Sequence, residues 1–314
     1  MTPRSKPLMY LKSIEAGAGV SIISPASFAI PDRVERGMDR LRQLGYSPRL
    51  CANTQVRGPL FFAGSPEQRL EDLHAAFADP ETTFVAAVRG GYGSNYLLEA
   101  IDPALIERNP KPLLAYSDMT GMQLRLLDQL GLAAFHGPMV AADFYLEDGV
   151  HLESLESALT GRPYSVGSSE GLRTLKPGRA TGMLYGGCLS ILVSLIGTAW
   201  EPATENKLLF LEDVGAKPYQ IDRMLWQMRQ TGKLNGVRGL IFGEMLDCTS
   251  PGAQANLLEG TILSALDGLD IPIAFGLRSG HVSRQNVTLI FGIEAELNAG
   301  DEACLELREP AVKL

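Results

Sequence analysis

The 314-residue chain is poor in the residues that build several common kinds of site. It has four cysteines, at 51, 188, 248 and 304, widely spaced and without a C-x-x-C pair. That pattern supports neither a zinc ribbon nor a disulfide framework, and it fits reduced thiols. Histidines are as few, four in all, and no His/Cys/Asp/Glu cluster has metal-ligand spacing, so no metal site is expected. Basic residues are outnumbered by acidic ones, 28 to 36, for a net charge of −8. This balance argues against a nucleic-acid scaffold or a binder of anionic membranes, while leaving room for a locally basic pocket. An unbroken apolar run is missing too. The longest uncharged stretch, residues 180–200, is interrupted by Gly182, Gly186, Gly187 and Gly197 and by two serines. It reads as a buried strand, a glycine turn and a buried helix rather than a membrane span. Near the N-terminus, the basic residues Arg4, Lys6 and Lys12 leave too short an apolar segment for a signal-peptide core. The expectation is a cytoplasmic protein with no membrane and no nucleic-acid partner.

What is present is a regular alternation. Residues 19–24 read as a strand, and the helix from Pro31 carries Val34, Met38, Leu41 and Leu44 on one face. Ser65-Pro66-Glu67 signals another helix start, with Leu70, Leu73 and Phe77 facing inward. Further strands follow at 83–88, 113–116 and 132–135. Such alternation implies a parallel sheet covered on both faces, with its ligand site beyond the carboxyl ends of the strands. Periodicity fades in the glycine-rich residues 160–178. Later strands are expected at 207–211, 237–242, 274–277, 287–293 and 304–307, and helices at 218–229 and 256–266. The expected fold is therefore α/β: an N-terminal parallel-sheet domain (1–160), a linker (161–178) and a smaller mixed α/β domain with a barrel-like antiparallel sheet (179–314). No internal repeat is evident.

Chemistry concentrates where strands stop. The run Leu113–Tyr116 ends at Ser117-Asp118, and a helical pattern with Met119, Met122, Leu126 and Leu130 begins at once. A turn of this kind lifts one side chain above the sheet and aims the first helical N–H groups at a ligand. Ser117 can therefore be a nucleophile, although a plain helix cap explains the same residues. The loop Arg89-Gly90-Gly91-Tyr92-Gly93-Ser94 also follows a strand. It fails the dinucleotide fingerprint, because Tyr96 stands where the third glycine belongs. Its glycines still permit close approach of backbone N–H groups to an oxyanion, and a tight turn is the simpler alternative. Among the histidines, His136 and His281 lie at strand–loop edges where a general base belongs, whereas His74 and His151 do not. Glu212 ends an apolar strand and is placed to orient an imidazole, with Asp213 as its rival. Asp222-Arg223 reads first as a surface or inter-helix ion pair and second as a substrate contact.

Together these pieces resemble the LD-carboxypeptidase family of serine peptidases, which includes the microcin C immunity peptidases. The resemblance runs from Ser24-Pro-Ala-Ser27 through Phe62-Ala-Gly-Ser65, Arg69, Arg89–Gly93, Tyr116-Ser-Asp118 and His136-Gly-Pro138 to Gly186-Gly187, Leu211-Glu-Asp213, Tyr219, Asp222-Arg223 and Gly280-His281. It implies a Ser-His-Glu triad in a cleft between two domains, with Ser117 as nucleophile, Glu212 as acid and His281 as base; His136 falls back to structure. It also implies an oxyanion hole from the N–H of Asp118 and one of Gly90 and Gly91, here taken as Gly91. Arg89, Gly90, Tyr92 and Cys188 are the substrate-binding candidates. Cys188 departs from the asparagine often found after the paired glycines. The implied reaction releases terminal D-alanine from a murein tetrapeptide in peptidoglycan recycling, by a homodimer without cofactor. A sibling activity on a peptidyl-nucleotide antibiotic is the alternative, and a non-catalytic nucleotide- or peptide-binding protein is a third reading.

Overall fold

The first sheet is built from short apolar runs that bury both faces. The structure is a computed structural model that describes residues 6–249 and 256–313, so Arg4 lies outside it. Elements are numbered in chain order. Residues before 163 form strands β1 (Leu11–Lys12), β2 (Gly19–Ile23), β3 (Ser47–Leu50), β4 (Phe84–Ala87), β5 (Leu113–Ala115) and β6 (Ala134–His136). Their helices are α1 (Pro31–Gln43), α2 (Pro66–Ala78), α3 (Pro103–Arg108), α4 (Thr120–Leu130) and α5 (Leu152–Thr160). Next come β7 (Tyr164–Val166), β8 (Arg173–Lys176), β9 (Gly178–Cys188), α6 (Leu189–Leu195), β10 (Lys207–Glu212), α7 (Pro218–Gln230) and β11 (Gly239–Gly243). The chain closes with α8 (Leu257–Ala265), β12 (Ile273–Leu277), β13 (Leu289–Phe291), β14 (Glu294–Ala299), β15 (Cys304–Leu307) and β16 (Val312–Lys313).

These elements divide into two units. The N-terminal unit holds Pro3–Arg162 together with Arg284–Gly292 and Pro310–Leu314. Its six-stranded sheet runs in the order β13-β6-β5-β4-β2-β3 and is parallel except for β13 at one edge. Every residue of β2, β4 and β5 is buried, as expected for central parallel strands covered on both faces. Helix α2 starts where Ser65-Pro66 signals it, and the structure adds a capping box closed by Gln68, with Pro66 in the first turn. Helix α4, expected to bury one face, is buried almost all round and ends at Gly131 in the left-handed conformation. The buried Gln123 explains its fixed seat. Its Nε2 lies within hydrogen-bond distance of Leu113 O (3.1 Å), Ala115 O (3.0 Å) and Phe135 O (2.9 Å), so one amide ties α4 to β5 and β6. Strand β3, with three of its four residues exposed, and helices α3 and α5 had no clear pattern in the sequence.

The C-terminal unit holds Pro163–Ser283 and Ile293–Glu309. Its eight strands run in the order β7-β15-β14-β9-β10-β11-β12-β8. Strands β9 to β12 are mutually parallel, and antiparallel strands flank them on both sides. The result is one mixed sheet and no closed barrel. Residues 161–178, expected as a linker, instead carry β7 and β8, because their polar side chains suit edge strands. The strand expected at 287–293 is also divided. Gly292, with φ 103°, breaks it after β13, which pairs with β6 of the N-terminal sheet, and the chain then enters β14 of the other unit.

Gln123→Met should keep the far-UV signal of the folded chain while lowering stability by about 1–3 kcal/mol, read by urea unfolding, because buried carbonyls lose their donor.

Candidate active site

In the N-terminal unit, Tyr116 continues the extended path of β5 with φ −153°, and Ser117 then reverses it with φ 67°. A positive φ is uncommon for any residue but glycine and costs energy that the surroundings must offset. The chain passes through one 3-10 turn, Ser117–Met119, into α4. The Met119 N–H makes the first bond of that turn, to Tyr116 O at 3.3 Å, so the Ser117 and Asp118 N–H groups precede it. Gly90 packs directly against this elbow. A Cβ there would lie 2.8 Å from Ser117 Cβ, 2.9 Å from its Oγ and 3.2 Å from the Asp118 nitrogen, so no other residue fits. The sequence-predicted Ser117, Asp118, Gly90 and Gly91 are thus neighbours in space. The Asp118 side chain is buried and accepts the Ser94 N–H on Oδ2 at 2.8 Å. Burial raises its carboxyl pKa, an effect partly offset by Ser94 and by the charge of Arg69. Arg89 is exposed, as is Tyr92, whose ring packs edge-on against Phe61 and Tyr96.

In the C-terminal unit, the sequence-predicted acid and base meet. Glu212, at the end of β10, is 0 % exposed, and its Oε2 lies 2.7 Å from Nδ1 of His281. The same oxygen accepts the His281 backbone N–H at 3.1 Å. The approach depends on Gly280, where a Cβ would lie 2.6 Å from Glu212 Cδ and where φ is +89°. The His281 side chain keeps 20 % of its surface exposed. Asp213, the rival acid, is spent elsewhere. Its carboxylate accepts the N–H groups of Ser190 at 2.8 Å and Val214 at 2.9 Å, holding the start of α6. Cys188 stands opposite Glu212 on the neighbouring strand β9, buried, with Sγ 3.4 Å from Ser190 Oγ. Burial, then the charges of Glu212 and Asp213, push its thiol pKa well up, which keeps it neutral and unreactive.

The remaining histidines have structural positions. His136 is fully buried between the rings of Tyr116 and Phe291. Nε2 of His74 accepts the Asp102 N–H at 3.0 Å, and Nδ1 of His151 accepts the Ser154 N–H as the cap of α5. Arg223 is exposed and lies over the ring of Tyr219. Among the described residues no group of three or more His, Cys, Asp or Glu could hold a metal, and no helix is long and apolar enough to cross a membrane. Sequence reasoning assigned no role to Ser27, Ser94 or Arg69, which fix the glycine loop. Ser27 and Arg69 stood among the motifs of the family resemblance without a role of their own, and Ser94 only at the end of the glycine loop.

The Ser117 turn and the Glu212–His281 pair each fall inside a region that matches a known family. Residues 20–137 match the LD-carboxypeptidase N-terminal domain and residues 181–297 match the LD-carboxypeptidase C-terminal domain. A probable murein peptide carboxypeptidase of Bacillus subtilis is 32% identical over 298 residues, which cover 94% of this chain and 93% of that protein. The chain belongs to the LD-carboxypeptidase family. This family member is also 32% identical, over 289 residues, to the murein tetrapeptide carboxypeptidase of Pseudomonas aeruginosa, with 88% and 92% of the two chains covered. Among solved structures it is similar to an MccF-like protein of Bacillus anthracis, with a TM-score of 0.88 at 25% identity over 96% of this chain and 99% of that one. It is accordingly an enzyme, a hydrolase of the carboxypeptidase type.

Gly280→Ala should separate Glu212 from His281 and lower stability by about 1–3 kcal/mol, since alanine resists the positive φ. In wild type the His281 Nδ1–H proton should resonate far downfield; its loss in the variant, by proton NMR, is the expected result.

Proposed function

We propose that the protein is a serine LD-carboxypeptidase in which Ser117 is the nucleophile, His281 the general base and Glu212 the acid that orients it. The observation that carries this reading is the 2.7 Å contact between the wholly buried Glu212 and Nδ1 of His281. That bond favours the tautomer with a proton on Nδ1 and a lone pair on Nε2, the form a general base needs. Nε2 takes the Ser117 hydroxyl proton as Oγ bonds to the scissile carbonyl carbon. The negative charge that develops on the carbonyl oxygen is received by the N–H groups of Asp118 and Gly91. His281 then gives its proton to the departing amine as the C–N bond breaks, and water hydrolyses the acyl-enzyme by the same route in reverse. Glu212 stays ionised throughout and supports the imidazolium.

The substrate on this reading is a murein tetrapeptide, and the leaving group is terminal D-alanine. Similarity to the Pseudomonas aeruginosa murein tetrapeptide carboxypeptidase supports that choice. The substrate ends in a carboxylate, and the exposed Arg89, beside Gly90, is the cation proposed to receive it. The reading includes a cytoplasmic homodimer serving peptidoglycan recycling, and sedimentation of the purified chain tests the dimer. A second reading, hydrolysis of a peptidyl-nucleotide, draws on the likeness to the MccF-like protein and on exposed rings near the glycine loop. Tyr92 is 42% and Tyr96 55% exposed, and either offers a face on which a nucleobase can stack.

Incubation with a murein tetrapeptide should release D-alanine, and Ser117→Ala should slow release by at least roughly 10³-fold. A folded wild-type protein that releases none, yet cleaves an aminoacyl-nucleotide, would replace the first reading with the second.

A further inference from the structure

We propose that Arg69 is a positioning residue for this reaction: with Ser94, it sets the loop Gly90–Gly93 against the turn Ser117–Asp118, so that the Gly91 and Asp118 N–H groups face one oxyanion. The inference rests on the assignment of Ser117 as nucleophile and of those two N–H groups as its oxyanion donors.

Arg69 lies in the first part of α2 and is only 2% exposed. A buried guanidinium is rare and costly unless its donors are used. Here Nη1 donates to Pro25 O and to Gly93 O, both at 2.8 Å, and the guanidinium lies over the ring of Phe62. Pro25 follows the end of β2, and Gly93 closes the glycine loop, so one side chain joins the two. The loop is built to admit it. Gly93 has φ +125°, and a Cβ there would lie 2.8 Å from Arg69 Nη1 and 2.7 Å from the Phe62 ring.

The same piece of backbone holds the other end of the loop. Ser27 donates its N–H to Gly90 O at 3.3 Å, and its Oγ accepts the Tyr92 N–H at 3.1 Å. One residue past Gly93, Ser94 grips the nucleophile turn at two points: its N–H reaches Asp118 Oδ2 at 2.8 Å and its Oγ donates to Asp118 O at 2.6 Å. The chain of contacts therefore runs from Arg69 through Gly93 and Ser94 to Asp118. Charge adds a second reason for an arginine. The Asp118 carboxylate belongs to the residue whose N–H serves the oxyanion, and its negative charge opposes that oxyanion. Arg69 is the cation that interacts with it.

The test compares Arg69→Met, Arg69→Lys and Ser94→Ala in the intact protein, with Ser117→Ala beside them. It measures kcat and KM on murein tetrapeptide, affinity for a peptide boronate that forms a tetrahedral serine adduct, and thermal unfolding. Arg69→Met should lower kcat roughly 10- to 100-fold with little change in KM, as expected when catalytic groups shift by a fraction of an ångström to about one ångström. Boronate affinity should fall in parallel. Arg69→Lys should recover part of the loss, because it keeps the charge but not the planar fork. Should Arg69→Met fail to fold, Ser94→Ala carries the test, with an expected loss in kcat of roughly 10-fold. Folded variants with unchanged kcat and boronate affinity, in a background where Ser117→Ala is dead, would overturn this inference alone. A fully active Ser117→Ala would overturn the underlying assignment and the inference with it.

Discussion

The reversal at Ser117 is the constraint on which the N-terminal unit depends. A non-glycine residue with φ 67° stores about 1–3 kcal/mol, and it persists only where the surroundings leave no alternative. Here the surroundings do so from both sides. Strand β5 is buried throughout, α4 is buried almost all round, and Gln123 ties the helix to carbonyls of both β5 and β6. Relaxing the elbow would mean lifting that helix off its sheet. The strain thus converts into position: it fixes Ser117 at the end of the strand and leaves the Ser117 and Asp118 N–H groups ahead of the first bond of the turn.

The C-terminal unit solves a different problem, that of keeping a carboxylate buried. Removing such a group from water costs several kcal/mol unless other groups answer it. Oε2 of Glu212 is answered by the ring and the backbone N–H of His281. Gly280 leaves the space for that approach, and Gly243 does the same on β11, where a Cβ would lie 2.6 Å from Glu212 Cβ. The adjacent Asp213 shows the alternative fate of a buried acid. It satisfies backbone donors at the start of α6 and at Val214, which makes it a fastener of the fold. Each unit therefore prepares its own chemical group with its own sheet.

Much of this was legible in the chain. The elbow at Ser117, the helix start at Ser65-Pro66, the strand that ends at Glu212 and the ordered motifs of the LD-carboxypeptidase family all appear as local patterns. The losses have physical causes. Edge strands β3, β7 and β8 carry polar residues because one side faces solvent, so they look like loops. Strand β13 seemed continuous with its successor because Gly292 is a single residue, although it sends the chain from one sheet to the other.

Local order was determined by sequence alone, since strand, helix and turn preferences act over a few residues. It placed a serine at a strand end, glycines in a loop and an acid at the tip of an apolar strand. Tertiary structure decided which of these groups meet. Glu212 and His281 are 69 residues apart in the chain, and Arg69 lies 24 residues before the carbonyl of Gly93 that it holds. Contacts at such separations depend on how whole sheets and helices pack, and no local preference encodes the choice of Glu212 over Asp213 or the burial of Arg69.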